Sequence, residues 1–213
     1  MTDYLTEEEQ IELLKNWLKQ YGLIILVGIL IAMVFVSGWQ FWQKHQAKIQ
    51  THASIIYDDM LTLRAQNKLD TARIKAEKLR TRYAKTVYAS MSAFMLARDA
   101  VEQKNYQRAL SELKWVIDYG RIPALKQIAR LRSARILITL KQPQASIQLL
   151  NHVDDKTFLG LIDEVIGDAH LSLKNESKAR ESYQKALTEL PNAQIIRPLL
   201  QMKYDNLTIS KTA

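Results

Sequence analysis

From Gln20 to Gln43 the chain carries no Asp, Glu, Lys or Arg, and Leu23 to Trp42 read LIILVGILIAMVFVSGWQFW. As a helix rising about 1.5 Å per residue, this stretch reaches across the ~30 Å hydrocarbon core of a bilayer. A core helix of that length would show a polar stripe, and none is present. A cleavable signal has a shorter apolar region ending in small residues, whereas this one leaves through Trp39, Phe41 and Trp42. The pattern predicts an uncleaved transmembrane anchor over residues 22–43, with Trp39 and Trp42 at headgroup level and Lys44 and Lys48 behind them. Within it Gly28 and Ala32 form a small-xxx-small pair that would let a second membrane helix approach closely, although a bare anchor is the plainer reading. Ahead of it, Thr6 and Glu9 fit a capping box, and Ile11, Leu14, Leu18 and Tyr21 share one helical face. Residues 1–21 therefore read as a short amphipathic segment leading into the span.

Beyond the span the apolar positions follow a helical period throughout, and they repeat. Numbered as a 34-residue tetratricopeptide unit from Gly160 to Pro191, the sequence places Gly167 at position 8, Ala179 at 20, Tyr183 at 24, Ala186 at 27 and Pro191 at 32. Small residues at 8 and 20 let two antiparallel helices touch, a large one at 24 fills the space between them, and Pro ends the second helix. One step of 34 back lie Ala145 and Leu149, with Ser133 near position 8. A further step of 36 reaches Ala109, Leu113 and Val116 with Leu96 and Ala97, and a looser match lies around Tyr57–Leu63 and Ala72. Turns are predicted at Gln66–Leu69, Gln103–Tyr106, Lys141–Gln144 and Lys174–Ser177. A last helix, Gln194 to Leu207, should cover the final repeat, because a solenoid needs a terminal cap. The fold class is all-α: one N-terminal transmembrane helix, then a tetratricopeptide-like solenoid of helical hairpins over residues 44–213.

In such a solenoid the first helix of each unit lines the inner surface through positions 2, 5, 9 and 12. These predict a partner-binding groove of Met91, Phe94, Arg98 and Val101, then Gln127, Arg130, Ala134 and Leu137, then Leu161, Glu164, Asp168 and Leu171. Apolar anchors beside arginines suit polypeptide with acidic or backbone acceptors. The alternative is that these positions pack against neighbouring helices or the terminal cap.

Charge changes this picture by its distribution. Lys and Arg number 30 against 22 Asp and Glu, yet residues 1–19 hold two Lys and five acids, while residues 64–135 hold 17 bases and six acids. The basic bias sits on the half of the domain that follows the anchor. Without aromatic interleaving or a reader module it does not indicate nucleic acid; a solvated helical surface is the plainest account, and contact with anionic lipid heads or acidic partners the next. Lys15 and Lys19 on one side of the span balance Lys44 and Lys48 on the other, so local charge leaves orientation undecided.

No chemistry emerges. Cysteine is absent, the histidines His45, His52, His152 and His170 lack companions at ligand spacing, and no phosphate loop or nucleophile elbow occurs. Asp154 with Asp155 and Asp163 with Glu164 are neighbours whose side chains point apart on a helix. The expectation is a binding protein without cofactor or metal, not an enzyme.

The order of parts, the juncture GWQFWQKHQ (Gly38 to Gln46) and the ending QMKYDNL (Gln201 to Leu207) resemble the YfgM family of ancillary SecYEG translocon subunits. The resemblance covers essentially the whole chain. It implies a bacterial inner-membrane protein with a cytoplasmic N-terminus and a periplasmic repeat domain. It further implies association with the SecYEG translocon and the chaperone PpiD, with unfolded or nascent polypeptides as clients passed on to periplasmic chaperones. A tetratricopeptide scaffold for envelope assembly or stress-response regulation, without stable translocon contact, is the alternative.

Overall fold

A computed structural model describes residues 7–190 and 195–209. Thr6 of the capping pattern, Pro191 and the predicted helix start at Gln194 lie outside the described residues. The chain divides into two compact units, Met1–Thr51 and His52–Ala213.

The first unit is carried by helix α1, Glu7–Ala65, whose remaining residues open the second unit. Among the described residues it is the one helix long and apolar enough to cross a membrane, and none of its most apolar stretch is buried against protein. The stretch is bracketed by aromatic pairs: Trp17 on Tyr21 with centroids 5.9 Å apart, and Trp39 on Trp42 at 5.5 Å. The eighteen steps from Tyr21 to Trp39 rise roughly 27 Å, close to a hydrocarbon thickness. Paired rings at both ends are the arrangement that headgroup regions favour.

In the second unit the end of α1 is followed by α2 (Leu69–Arg82), α3 (Val87–Glu102), α4 (Tyr106–Tyr119), α5 (Pro123–Thr139), α6 (Pro143–Leu150), a 3-10 turn (Lys156–Phe158), α7 (Leu159–Ser172), α8 (Glu176–Glu189) and α9 (Arg197–Ile209). No strand occurs among the described residues. Four hairpin turns share one geometry. Asn67, Lys104, Lys141 and Lys174 adopt φ of 59°, 58°, 61° and 59°. Their N–H groups donate three residues back, to the carbonyls of Arg64, Val101, Ile138 and Leu171. The N–H of each next residue donates five back, to Leu63, Ala100, Leu137 and His170, at 2.8–2.9 Å. This is the Schellman closure, which satisfies carbonyls that a helix end leaves unpaired. Lysine takes the position glycine usually holds because its cation sits at the negative end of the preceding helix; asparagine tolerates the left-handed region through its short polar side chain. Immediately after two of these turns, Asn105 and Asn175 cap the next helix by accepting from the N–H groups of Arg108 and Lys178.

The turn residue sets the register of each hairpin. Seven residues before it the first helix presents Met60, Ala97, Ala134 and Gly167. Five after it the second helix presents Ala72, Ala109, Ser146 and Ala179, and nine after it Ala76, Leu113, Leu150 and Tyr183. All twelve are buried. Gly167 leaves room for the Tyr183 ring, with which any Cβ there would collide, and Gly160 does the same for Leu190. The core is consequently a stack of small clusters, most of them reaching from one hairpin to the next, rather than a single interior.

One expected frame is corrected. The left-handed residues are spaced by 37, 37 and 33 positions, so a step of 34 back from the last repeat lands one residue early. Ser146, Leu150 and Ala134 hold the contacts assigned to Ala145, Leu149 and Ser133, and Ala145 and Leu149 are only half-buried. A slip of one residue turns a helix by about 100°, which carries Ala145 off the contact. The shortened spacing reflects α6, a helix of 8 residues where α2, α4 and α8 have 14.

Two measurements check this register. Ser146→Leu should overpack the third hairpin and lower stability by roughly 1–3 kcal/mol, whereas Ala145→Leu should cost less than about 1; equal melting temperatures would refute the frame. At the turn, Lys141→Val forces a β-branched residue into positive φ and should lower the melting temperature, while Lys141→Gly should hold or raise it.

Candidate binding groove

Successive hairpins are joined by ion pairs between helices of the same rank. The Arg64 guanidinium on α1 forks onto Asp99 on α3. Between α2 and α4, Arg80 Nη1 donates to Glu112 Oε2 at 2.5 Å, and the Arg80 guanidinium also lies over the Trp115 ring at 5.3 Å. Burial pushes the Glu112 carboxyl above its ordinary pKa, and Arg80 offsets part of that rise. Between α5 and α7, Arg135 Nη2 donates to Glu164 Oε2 at 3.2 Å. Between α7 and α9, Lys203 Nζ donates to Glu164 Oε1 at 2.8 Å and to both oxygens of Asp168 at 2.8 and 2.9 Å.

The Lys203 cluster is the lock of the terminal helix. Tyr183 OH donates to Asp168 Oδ1 at 2.8 Å, and burial followed by the Asp168 charge pushes the Tyr183 hydroxyl pKa far up. For Lys203 burial alone would lower the pKa, yet its hydrogen bonds to Asp168 and Glu164 hold it above the ordinary lysine value. A raised lysine contributes stability that is present below the ordinary lysine pKa and lost only as pH rises through the raised one, so this lock is closed throughout the neutral range. Alongside it Leu200 and Leu207 enter the cluster of Ala179, Tyr183 and Ala186, and the Arg180 guanidinium stacks over Tyr204 at 5.0 Å. The ending QMKYDNL is thereby explained: Lys203, Tyr204 and Leu207 dock α9.

Between α3 and α5 the arrangement differs. Phe94, Ala97 and Val101 of α3, Leu113 of α4 and Ile136 of α5 form the apolar floor of an open groove of about 450 Å³. Its rim carries Arg98, Glu102, Arg132 and Arg135. The Arg132 guanidinium stands 4.8 Å over the Phe94 ring, Arg98 Nε donates to Glu102 Oε1 at 2.8 Å, and Arg135 is the residue shared with Glu164. An apolar floor under three guanidinium groups can seat one apolar side chain and accept carboxylates or carbonyls on either side.

The predicted groove residues distribute unevenly. Phe94, Arg98 and Val101 line this groove, and Met91 is exposed on α3 outside it. Gln127 is wholly buried, its Oε1 accepting the Asp154 N–H at 2.9 Å, and Arg130 Nε donates to Asp154 Oδ2 at 2.6 Å. Those two hold the loop before α7 rather than presenting themselves to a partner. Ala134 is the helix contact of its hairpin, Leu137 is half-buried, and Leu161 packs on the Ile162–Val165 cluster. Glu164 and Asp168 are taken by Lys203. Arg132, Arg135 and Ile136 were missed; moving the α5 positions along by one, as the Lys141 turn requires, reaches Arg135 but not Arg132 or Ile136. Gly28 and Ala32 lie in the first unit, where a Cβ on Gly28 would meet nothing within 4 Å.

Comparison with known proteins places this geometry. The chain matches the sequence profile described as a tetratricopeptide repeat-like domain over residues 15–209. It is 25% identical over 210 residues to a protein of Escherichia coli (strain K12) named "Ancillary SecYEG translocon subunit", covering 98% of this chain and 100% of that one. Proteins of the same name from Neisseria gonorrhoeae (26% over 209 residues, 97% and 100% covered) and Haemophilus influenzae (26% over 203 residues, 95% and 98%) are similar to the same extent.

Breaking the lock has a measurable consequence. Lys203→Met leaves the half-buried Asp168 without its cation and buried Glu164 with Arg135 alone, and should cost roughly 1–3 kcal/mol, with earlier hydrogen exchange in α9 than elsewhere. Arg98→Ala, which removes an exposed pair, should cost less than about 0.5. Identical melting and exchange in the two variants would deny Lys203 this role.

Proposed function

We propose that this chain, which belongs to the tetratricopeptide repeat-like domain family, is an ancillary subunit of the SecYEG translocon that works by binding protein. The observation that carries the reading is the match over nearly the full length of both chains to relatives bearing that name. The long exposed apolar stretch of α1 supports anchoring in the bacterial inner membrane. On this reading residues 1–21 are cytoplasmic, residues 22–43 span the membrane, and residues 44–213 are a periplasmic domain closed by its C-terminal helix. The domain contacts the chaperone PpiD and passes translocated polypeptide toward periplasmic chaperones, with the groove floored by Phe94 and Val101 as its polypeptide-binding surface. No residue is assigned a catalytic role, and no cofactor enters.

Two experiments test this. Alkaline phosphatase fused after Ala213 should be active; an inactive fusion, with a cytoplasmic reporter active at the same point, would reverse the topology. A photocrosslinking residue at Val101 of the full-length chain in living cells should capture PpiD, a SecYEG component or emerging polypeptide, and Phe94→Ala with Arg132→Ala should reduce capture severalfold while leaving the melting temperature within a few degrees. Undiminished capture by the folded double variant would move the working surface away from the groove.

A further inference from the structure

Every hairpin of the second unit begins and ends at one edge of the stack. Tyr57, early in the unit, lies against Tyr88 at the start of α3 with centroids 5.6 Å apart. A Cβ on Gly120, just after α4, would stand 3.5 Å from Ser90 Oγ near the start of α3. This edge therefore collects the α2–α3 and α4–α5 connections, and His52, where the unit begins, follows Trp42 by ten residues in the chain.

The two connections are cationic. Lys85 lies in the first and Arg82 ends the helix before it; Arg121 lies in the second and Lys126 stands in the first turn of α5, and none of the four has an acidic partner among the described residues. Lysines also occupy the opposite edge, but there Lys104, Lys141 and Lys174 end helices whose dipoles favour a cation. Lys85 and Arg121 instead precede helices α3 and α5, and neither helix has an acid in its first turn. Lys85, Arg121 and Lys126 thus stand at helix N-termini, where the fold gains nothing from a cation, whereas Arg82 lies in the last turn of α2, where the dipole favours one.

Beside Arg121 stand two large apolar residues in water, Tyr119 at 62% exposure and Ile122 at 41%. The following connection loses this character: Asp154 there is bound by Arg130, and residues 154–213 carry eight bases against nine acids. Unpaired cations flanking an exposed aromatic and an exposed aliphatic side chain match the headgroup region of an anionic bilayer, where rings and basic side chains are both favoured. An acidic protein surface would pair with the cations but would leave Tyr119 and Ile122 without a reason to be exposed.

We propose that this edge, through Arg82, Lys85, Arg121, Lys126, Tyr119 and Ile122, binds the anionic phospholipid surface of the membrane that anchors the chain. The inference rests on the anchoring proposed above. Held against the lipid, the repeat domain has one fixed face and loses most of the freedom of a tethered body, which keeps its open groove at a constant height above the bilayer.

Because the chain has no cysteine, Ile122→Cys gives a single labelling site for an environment-sensitive fluorophore, and Gln103→Cys gives a control at the opposite edge. The full-length protein is reconstituted into phosphatidylcholine vesicles with and without phosphatidylglycerol, each doped with headgroup-quencher lipid. Quenching at position 122 should rise at least ~threefold with phosphatidylglycerol and fall back as salt shortens the Debye length, while position 103 stays unchanged. Replacing the four cations by Gln should abolish the rise, and the salt titration of the unreplaced chain decides independently should that variant fail to fold. Quenching that is insensitive to lipid charge, or equal at both positions, would overturn the proposal. Protein that fails to float with either vesicle would refute the anchoring, a separate outcome from flotation without quenching. A probe response to soluble polyglutamate exceeding that to phosphatidylglycerol would assign the edge to an acidic protein and overturn the lipid reading.

Discussion

The second unit depends on a left-handed residue at each hairpin turn. Asn67, Lys104, Lys141 and Lys174 reverse the chain within two residues, and the closure gives two helix-end carbonyls of each turn an N–H partner. Because the reversal is so short, the distance in sequence from the turn to each contact is nearly invariant, and the same offsets pick out the small and large residues of every layer. A helical hairpin with a longer loop could slide by a residue; these cannot, since sliding would break a hydrogen bond of the closure as well as a packing contact. The specificity of the fold is thus written in local geometry, and the stack grows by repeating it.

Stacking the layers is a separate problem, in which apolar clusters reach from one hairpin to the next and ion pairs orient the contact. Arg64 with Asp99, Arg80 with Glu112, Arg135 with Glu164 and Lys203 with Glu164 and Asp168 each tie a helix to its counterpart in the next hairpin. Partly buried pairs of this kind supply orientation more than net stability, because desolvation consumes much of the attraction. Among the described residues no such pair joins α3 to α5, and a groove opens there with Arg98, Arg132 and Arg135 at its rim. Arg135 belongs both to this candidate groove and to an interlayer tie.

Much of this was legible in the sequence because it follows from residue size and periodicity. The uncharged run, the four turns, Gly167 opposite Tyr183 and the terminal helix were all readable, since a glycine facing a tyrosine sixteen residues away has few other meanings in a helical hairpin. What failed was the register of α5 and α6. Ala145 and Ser146 are both small, as are Ser133 and Ala134, so composition could not choose between adjacent frames, and the choice lay in a positive φ at Lys141 that lysine does not advertise. The groove inherited part of that error: one step on from Ala134 stands Arg135, which lines the groove, whereas Gln127 and Arg130 hold Asp154. The second aromatic pair, Trp17 with Tyr21, was not readable from the amphipathic face of Ile11, Leu14, Leu18 and Tyr21, to which Trp17 does not belong.

Arg135 links these two levels. Its guanidinium lines the groove and also reaches Glu164, whose other oxygen is held by Lys203. A carboxylate entering the groove therefore competes with Glu164 for Arg135, but Glu164 does not become an unpaired buried charge, because Lys203 remains on it. The exchange costs only the difference between two exposed-edge ion pairs rather than the loss of a buried one. A groove whose rim cation is backed by a second cation on the same structural carboxylate can engage and release an acidic ligand without loosening the terminal helix, which is the behaviour a transient polypeptide-binding surface requires.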